Sequence, residues 1–230
     1  VAHANHVEIT CRHHVSPGQI GLNEIGKMKE GETVLISAAT GAVGGLAGQL
    51  AKAKGCKVIG VAGGAEKCAF AVEELGFDAC LDHKAAKDGR ELAAQIKEAA
   101  PQGVDVYFEN VGGKTLEAVL PNMNMFGRIA ICGMIAWYNG DNIADAAPLP
   151  AVWSTILTNR LTVQGFLFPD HQDSAGAFFK EVAPMMAAGK IKFRESVAEG
   201  LENAPSAFLE LLKGDNFGKQ LVRVGEDPKG

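Results

Sequence analysis

The feature that most constrains the fold is the run Thr33-Val34-Leu35-Ile36-Ser37-Ala38-Ala39-Thr40-Gly41-Ala42-Val43-Gly44-Gly45. Val34 to Ile36 has the unbroken apolar character of a strand buried on both faces of a parallel sheet. The glycines that follow permit a tight turn and a close approach of backbone to ligand. From Gly41 to Lys54 the residues Val43, Leu46, Ala47, Leu50 and Ala51 recur at helical spacing. The turn therefore opens onto a helix N-terminus, where free backbone amides attract anions.

A second strand, Lys57 to Ala62, follows Gly55 and completes a βαβ unit of the ~30 residues expected of a dinucleotide-binding motif. Ala38 stands where the commoner fingerprint has its first glycine. A structural turn with no ligand remains the competing reading. The end of the second strand bears on which dinucleotide is bound. An NAD site places an acid there for the ribose 2′-hydroxyl, whereas a 2′-phosphate needs room and cations. Here the chain reads Val61-Ala62-Gly63-Gly64-Ala65-Glu66-Lys67, small residues and then a lysine in the first turn of the next helix. This favours NADP(H), with Glu66 as a favourable charge at a helix start. A solvated surface Lys67 is the alternative.

At 230 residues, 47% apolar and 21% charged, the chain has the composition of a globular α/β protein with a substantial core. Its net charge of −5 argues against nucleic-acid binding, which needs a basic face. No apolar stretch reaches the ~18 residues of a membrane span, and no signal-peptide pattern is read at the start, which is Val1 rather than Met. Cys11, Cys56, Cys68, Cys80 and Cys132 lack CxxC spacing and fit a reducing, cytoplasmic setting with small apolar roles in the core. His3, His6, His13 and His14 read as a polar arm in residues 1–20 rather than a metal site, because no acid or thiol lies at matching spacing. No metal is expected.

The alternation continues with helix Glu66 to Leu75, strand Ala79 to Leu81, helix Gly89 to Ala100, strand Val104 to Phe108, helix Thr115 to Pro121 and strand Arg128 to Cys132. Strands alternating with helices predict a Rossmann-type doubly wound parallel sheet, with ligands at the carboxyl edge of the strands. Asn110 and the segment Cys132 to Tyr138 follow strand ends and should face the same crevice as Gly41. Further on, Ala175 to Ala188 and Leu201 to Leu212 read as helices and Lys219 to Val224 as a strand.

Four motifs in order, Ala38 to Gly45, Phe108-Glu109-Asn110-Val111-Gly112-Gly113, Gly127 to Gly133 and Gly214-Asp215-Asn216-Phe217-Gly218-Lys219, resemble the zinc-independent medium-chain reductases. The match is with the branch of leukotriene B4 12-hydroxydehydrogenase, prostaglandin reductase, plant alkenal reductases and curcumin reductase, and covers about Ile20 to Gly225. It implies NADPH-dependent reduction of the carbon–carbon double bond of α,β-unsaturated ketones or aldehydes, the cofactor carrying the chemistry. A quinone reductase of the same superfamily and a non-catalytic NADP(H)-binding module are the alternatives.

Carried over residue by residue, the resemblance implies that Gly41, Ala42, Val43 and Gly44 form the pyrophosphate turn and that Lys67 meets the 2′-phosphate. His83 stands where many members have a tyrosine beside that phosphate. Asn110 is implied as a cofactor contact. Cys132, Gly133 and Tyr138 mark the segment beside the nicotinamide ribose. Phe166, Leu167 and Phe168 mark the stretch at the nicotinamide amide, and Asn216 is a further contact. Each has a duller competitor: the Phe166 group as core, Tyr138 as a loop hydrogen bond, Asn110 and Asn216 as turn caps.

Where some members carry a tyrosine proposed as proton donor, this sequence has Thr158, a far poorer acid, so no catalytic side chain is assigned. Members also carry a barrel-like catalytic domain ahead of the glycine-rich strand, largely absent here. The expected organisation is an arm (1–20), an NADP-binding domain (21–190) and a C-terminal segment (191–230) that in the family packs towards that catalytic domain. Lacking that domain, the final strand needs another partner, and an unpaired edge there favours homodimer formation or instability. The family also implies a homodimer formed by sheet extension.

Overall fold

The computed structural model describes residues 17–140, 143, 146 and 148–225. The four N-terminal histidines and Cys11 lie outside the described residues. Six strands form one parallel sheet: β1 (Thr33–Ser37), β2 (Lys57–Ala62), β3 (Ala79–Asp82), β4 (Val104–Glu109), β5 (Met123–Ile131) and β6 (Thr162–Gly165). Their order is β3-β2-β1-β4-β5-β6, the doubly wound order in which the chain changes direction between β1 and β4 and leaves a crevice beyond both carboxyl ends.

Helices α1 (Gly44–Ala53), α2 (Ala65–Glu73), α3 (Gly89–Ala99) and α4 (Gly113–Val119) make the first crossovers. Strand side chains alternate, so each strand feeds both faces. Val34, Ile36, Val58, Val106 and Phe108 pack with Ala47 and Ala51 of α1 and Cys68 and Ala71 of α2. On the opposite face Leu35, Ile59, Tyr107 and Ile129 pack with Leu92 and Ile96 of α3 and Ala118 and Val119 of α4. The first face is tight: a β-carbon at Gly48 of α1 would sit 1.9 Å from the Phe77 ring. A π-helical turn, Ile20–Ile25, covers the same face with Ile20 and Leu22 fully buried.

β5 begins at Met123, well before the strand expected from Arg128. A register shift against β4 and the positive φ of Phe126 (62°) break the two-residue period there, which is why periodicity alone finds only the second half.

After α5 (Leu149–Asn159) and β6, helix α6 (Ala175–Ala187) packs on α1 through Phe178 and Val182 against Leu46 and Leu50. The chain ends with β7 (Glu195–Glu199), α7 (Ala204–Lys213) and β8 (Lys219–Arg223). β7 and β8 pair in parallel, from Glu195 opposite Lys219 to Glu199 opposite Arg223. This corrects the expectation that the final strand lacks a partner: β7 supplies one within the chain. Charged Glu195 and Glu199 at both ends of β7 hide its apolar centre, Val197 and Ala198, from a reading by hydrophobic pattern.

Candidate cofactor site

The turn between β1 and α1 is closed by its own backbone. Gly41 N–H donates to Ala38 O (2.9 Å) and Gly45 N–H to Gly41 O (2.8 Å). Ala38, the departure from the glycine fingerprint, has φ of 50°, the left-handed region a glycine enters freely. A β-carbon at Gly44 would lie 2.3 Å from Ala38 O. α1 has neither a side-chain cap nor an acid in its first turn, so the positive end of its dipole is left for an anion even though the Gly45 amide is turned onto Gly41 O.

Beside this turn lies a cleft of about 370 Å³. Gly41 and Ala42 form one wall, Val111, Thr115, Ile135 and Ala136 another, and Leu211 to Gly214 with Asn216 contribute from the C-terminal segment. At the end of β2 the lining is Gly63, Lys67, His83 and Lys84.

That end is electropositive. Lys67 Nζ donates to Gly214 O (2.7 Å) and Asn216 O (2.6 Å), and Lys114 Nζ to His83 O (2.6 Å) and Ala86 O (2.9 Å). Burial, then Lys114, Lys84 and Lys67, hold the His83 imidazole below its ordinary pKa, with Asp82 opposing them. Burial and Lys84 likewise lower Lys67. Asp82, the closest acid in sequence, is turned onto main-chain amides: its Oδ1 accepts from Gly64 N (2.8 Å) and Lys84 N (2.9 Å). Glu66 points to solvent, 3.6 Å from Arg194. Room, donors and positive charge thus coincide at Gly63 and Gly64. Lys84, Lys114 and Asp82 went unread in the sequence. The adjacency of β3 to β2, which brings His83 and Lys84 beside Gly63, was the missing signal.

The other site candidates occupy the ends of β4, β5 and β6. Asn110 Nδ2 donates to Ser37 O (2.7 Å), and its backbone N–H to Ser37 Oγ (2.7 Å), tying β4 to β1. Ser37 Oγ in turn donates to Oε1 of the buried Glu109 (2.9 Å), which also accepts from Val111 N (2.6 Å). Cys132 and Gly133 donate their N–H groups to Glu109 O, and burial pushes the Cys132 thiol up to about 11. Tyr138 is exposed, and its Oη accepts from Met134 N (3.1 Å). A β-carbon on Gly133 would lie 3.1 Å from that oxygen. Trp137 packs its ring over Gly112 with Nε1 buried.

Phe166 packs edge-on against Phe108 and His171. Leu167 is exposed and Phe168 lies against the first-face core. Thr158 Oγ1 donates to Ser154 O (2.9 Å) within its own helix. The structure therefore gathers Gly41, Ala42, Lys67, His83 and Asn216 around one cleft, with Val43 and Gly44 in the same turn. Asn110, Cys132, Gly133 and Tyr138 stand at neighbouring strand ends, and Phe166 to Phe168 one strand further out.

A family model described as zinc-binding dehydrogenase matches residues 42–186. The chain belongs to that family. Within it, the chain is 47% identical over 210 residues to the NADPH-dependent curcumin reductase of Escherichia coli, covering 90% of this chain and 60% of that protein. It is 44% identical over 207 residues to the NADP(+)-dependent 2-alkenal reductase of Nicotiana tabacum, covering 90% and 58%. In structure it matches CurA from Vibrio vulnificus in complex with NADPH at a TM-score of 0.87 and 43% identity, over 94% of this chain and 64% of that one. These likenesses place it in the reductase branch the motifs resembled, and its six-stranded sheet is the Rossmann-type layer of that fold. The chain spans about 60% of the length of the curated relatives it matches. Among the described residues no cluster of three His, Cys, Asp or Glu side chains is placed to hold a metal ion, and no helix is long and apolar enough to cross a membrane.

Proposed function

We propose that this chain forms the NADP(H)-binding part of an enone reductase, an enzyme that reduces the carbon–carbon double bond of α,β-unsaturated ketones and aldehydes. The observation that carries the reading is the positive end of the cleft, where His83 and Lys84 lie against Gly63, Lys67 lines the same space and Asp82 Oδ1 is taken up by main-chain amides. A ribose 2′-phosphate fits that donor set, and the acids nearest it are engaged elsewhere, Asp82 with main-chain amides and Asp215 with Lys84 at 3.9 Å, rather than set to accept from a bare 2′-hydroxyl. The uncapped start of α1 suits the diphosphate.

On this reading the cofactor supplies a hydride to the electron-poor β-carbon, and the substrate's α-carbon takes a proton. The residues proposed to meet it are Gly41 to Gly44, Lys67, His83 and Asn216 in the cleft and its turn, with Asn110, Cys132, Gly133, Tyr138 and Phe166 to Phe168 along the strand ends. With Thr158 bonded to its own helix, no side chain is named as proton donor. We further propose a cytoplasmic homodimer joined at the free edge of β6, whose four residues are all exposed.

Calorimetry with NADPH and NADH, then reduced-nicotinamide consumption with a simple enone and with a quinone, tests the reading. Tighter NADPH binding with enone-dependent oxidation is expected. Preferential quinone turnover replaces the substrate class, binding without turnover of either reduces the chain to a cofactor-binding module, and tighter NADH binding overturns the assignment altogether.

A further inference from the structure

Lys67 is held by a loop far along the chain. Of the three N–H bonds of its ammonium, two are taken by the carbonyls of Gly214 and Asn216, at 2.7 and 2.6 Å. The third is left between the Phe217 ring, whose centroid lies 5.9 Å from Nζ, and the cleft that Lys67 lines. A lysine stem is long and loses much rotamer freedom when fixed, so whatever fixes those two carbonyls decides how well the third donor is aimed.

The loop itself is anchored by Phe217, which does not line the cleft. Its ring meets Phe70 of α2 edge-on, with centroids 5.0 Å apart and planes at 82°. The Arg194 guanidinium lies over the same ring at 3.8 Å. Its backbone N–H donates to Ser196 Oγ (3.0 Å), and its carbonyl accepts from that hydroxyl (2.8 Å). Asn216 Nδ2 closes the loop onto Gly218 O (2.8 Å), and Gly218 has no space for a β-carbon, which would fall 1.9 Å from Arg194 O. Phe70 and Lys67 belong to the same helix. The ring therefore clamps the loop to the element that carries the phosphate-reading cation.

We propose that Phe217 is a positioning residue that sets the preference for a 2′-phosphorylated dinucleotide, by holding the Gly214 and Asn216 carbonyls that aim the Lys67 ammonium. The inference rests on the NADP(H) reading above. NADH presents no 2′-phosphate, so a loosened loop penalises NADPH and spares NADH.

The test is a double-mutant cycle. Wild type, Lys67→Ala, Phe217→Ala and the double variant are titrated calorimetrically with NADPH and NADH. Lys67→Ala is expected to reduce the NADPH preference at least about tenfold, the value of one charge-assisted contact. Phe217→Ala should reduce it at least about threefold with NADH affinity unchanged, and should have no further effect in the Lys67→Ala background. Should Phe217→Ala fail to fold, Phe217→Leu keeps apolar bulk but removes the ring face under Arg194, and carries the same expectation. Equal weakening of both cofactors, or an undiminished Phe217 effect without Lys67, overturns the proposal. If Lys67→Ala leaves the preference intact, the cofactor reading itself falls and takes this inference with it.

Discussion

The carbonyl oxygen of Ala38 occupies the space that a side chain at Gly44 would need, 2.3 Å from where its β-carbon would sit. Both residues belong to the turn that opens α1, yet their tolerances are opposite. Gly44→Ala forces a methyl group against the Ala38 backbone and is expected to cost about 3 kcal/mol or more. Ala38→Gly relieves a left-handed alanine but adds unfolded-state freedom, so its effect stays within about 1 kcal/mol of zero. Urea unfolding of the two variants checks the contrast.

Ser37 holds together two strand ends through one hydroxyl, which donates to Glu109 Oε1 and accepts from Asn110 N. Ser37→Ala leaves a fully buried carboxylate with one fewer donor and a main-chain amide without its acceptor. Thermal unfolding should show a loss of about 1–3 kcal/mol. A neutral result would mean that this network does not join β1 to β4 energetically.

The pH response of His83 follows from the sign of its shift. Its pKa is lower folded than unfolded, so the unfolded chain takes up the proton first and stability falls as pH drops below the free imidazole value of about 6.5. A bound phosphate favours the protonated ring. NADPH affinity of the wild type should therefore rise relative to His83→Tyr as pH falls below that value, because the tyrosine cannot titrate there. Parallel pH profiles for the two proteins would remove His83 from the phosphate site.

Burial keeps the Cys132 thiol protonated up to about pH 11, and only a thiolate reacts readily. Iodoacetamide at neutral pH should leave Cys132 unmodified in the folded protein and label it after denaturation, as read by peptide mass spectrometry. Fast labelling of the native chain would place this residue in a more open setting than the one described.

The free edge of β6 lies in the sheet beside β5, which exposes Met125 and Phe126, and next to α5, which exposes Trp153 and Leu157. Val163→Lys puts a charge at the centre of that edge. If the proposed homodimer forms there, sedimentation should show a monomer for the variant and a dimer for the wild type. A variant that remains dimeric moves the contact elsewhere.

Most of the parallel sheet is legible in the sequence because its strands are short apolar runs punctuated by glycine, as at Val34 to Ile36 before Gly41. The glycine turn and Lys67 are legible for the same local reason. β7 is hidden because its ends are charged and two of its five residues are exposed, and the first half of β5 because a register shift spoils the two-residue period. The π-helical turn gave only Ile20, Leu22 and Ile25 as a hint. Lys84, Lys114 and Phe217 are invisible to local reading, since their roles depend on which strands are neighbours and where a loop some 150 positions from Lys67 returns.

The first helix can lie flush on the sheet only because Phe77 fills the place of a missing methyl at Gly48. The two sites are thus one volume shared by two residues. A substitution that enlarges the first must be matched by shrinking the aromatic partner, to leucine or smaller, before it is accepted. Enlarging Gly48 alone would lift the helix and, with it, the amides proposed to face the diphosphate, whereas shrinking Phe77 alone would leave a cavity beneath it.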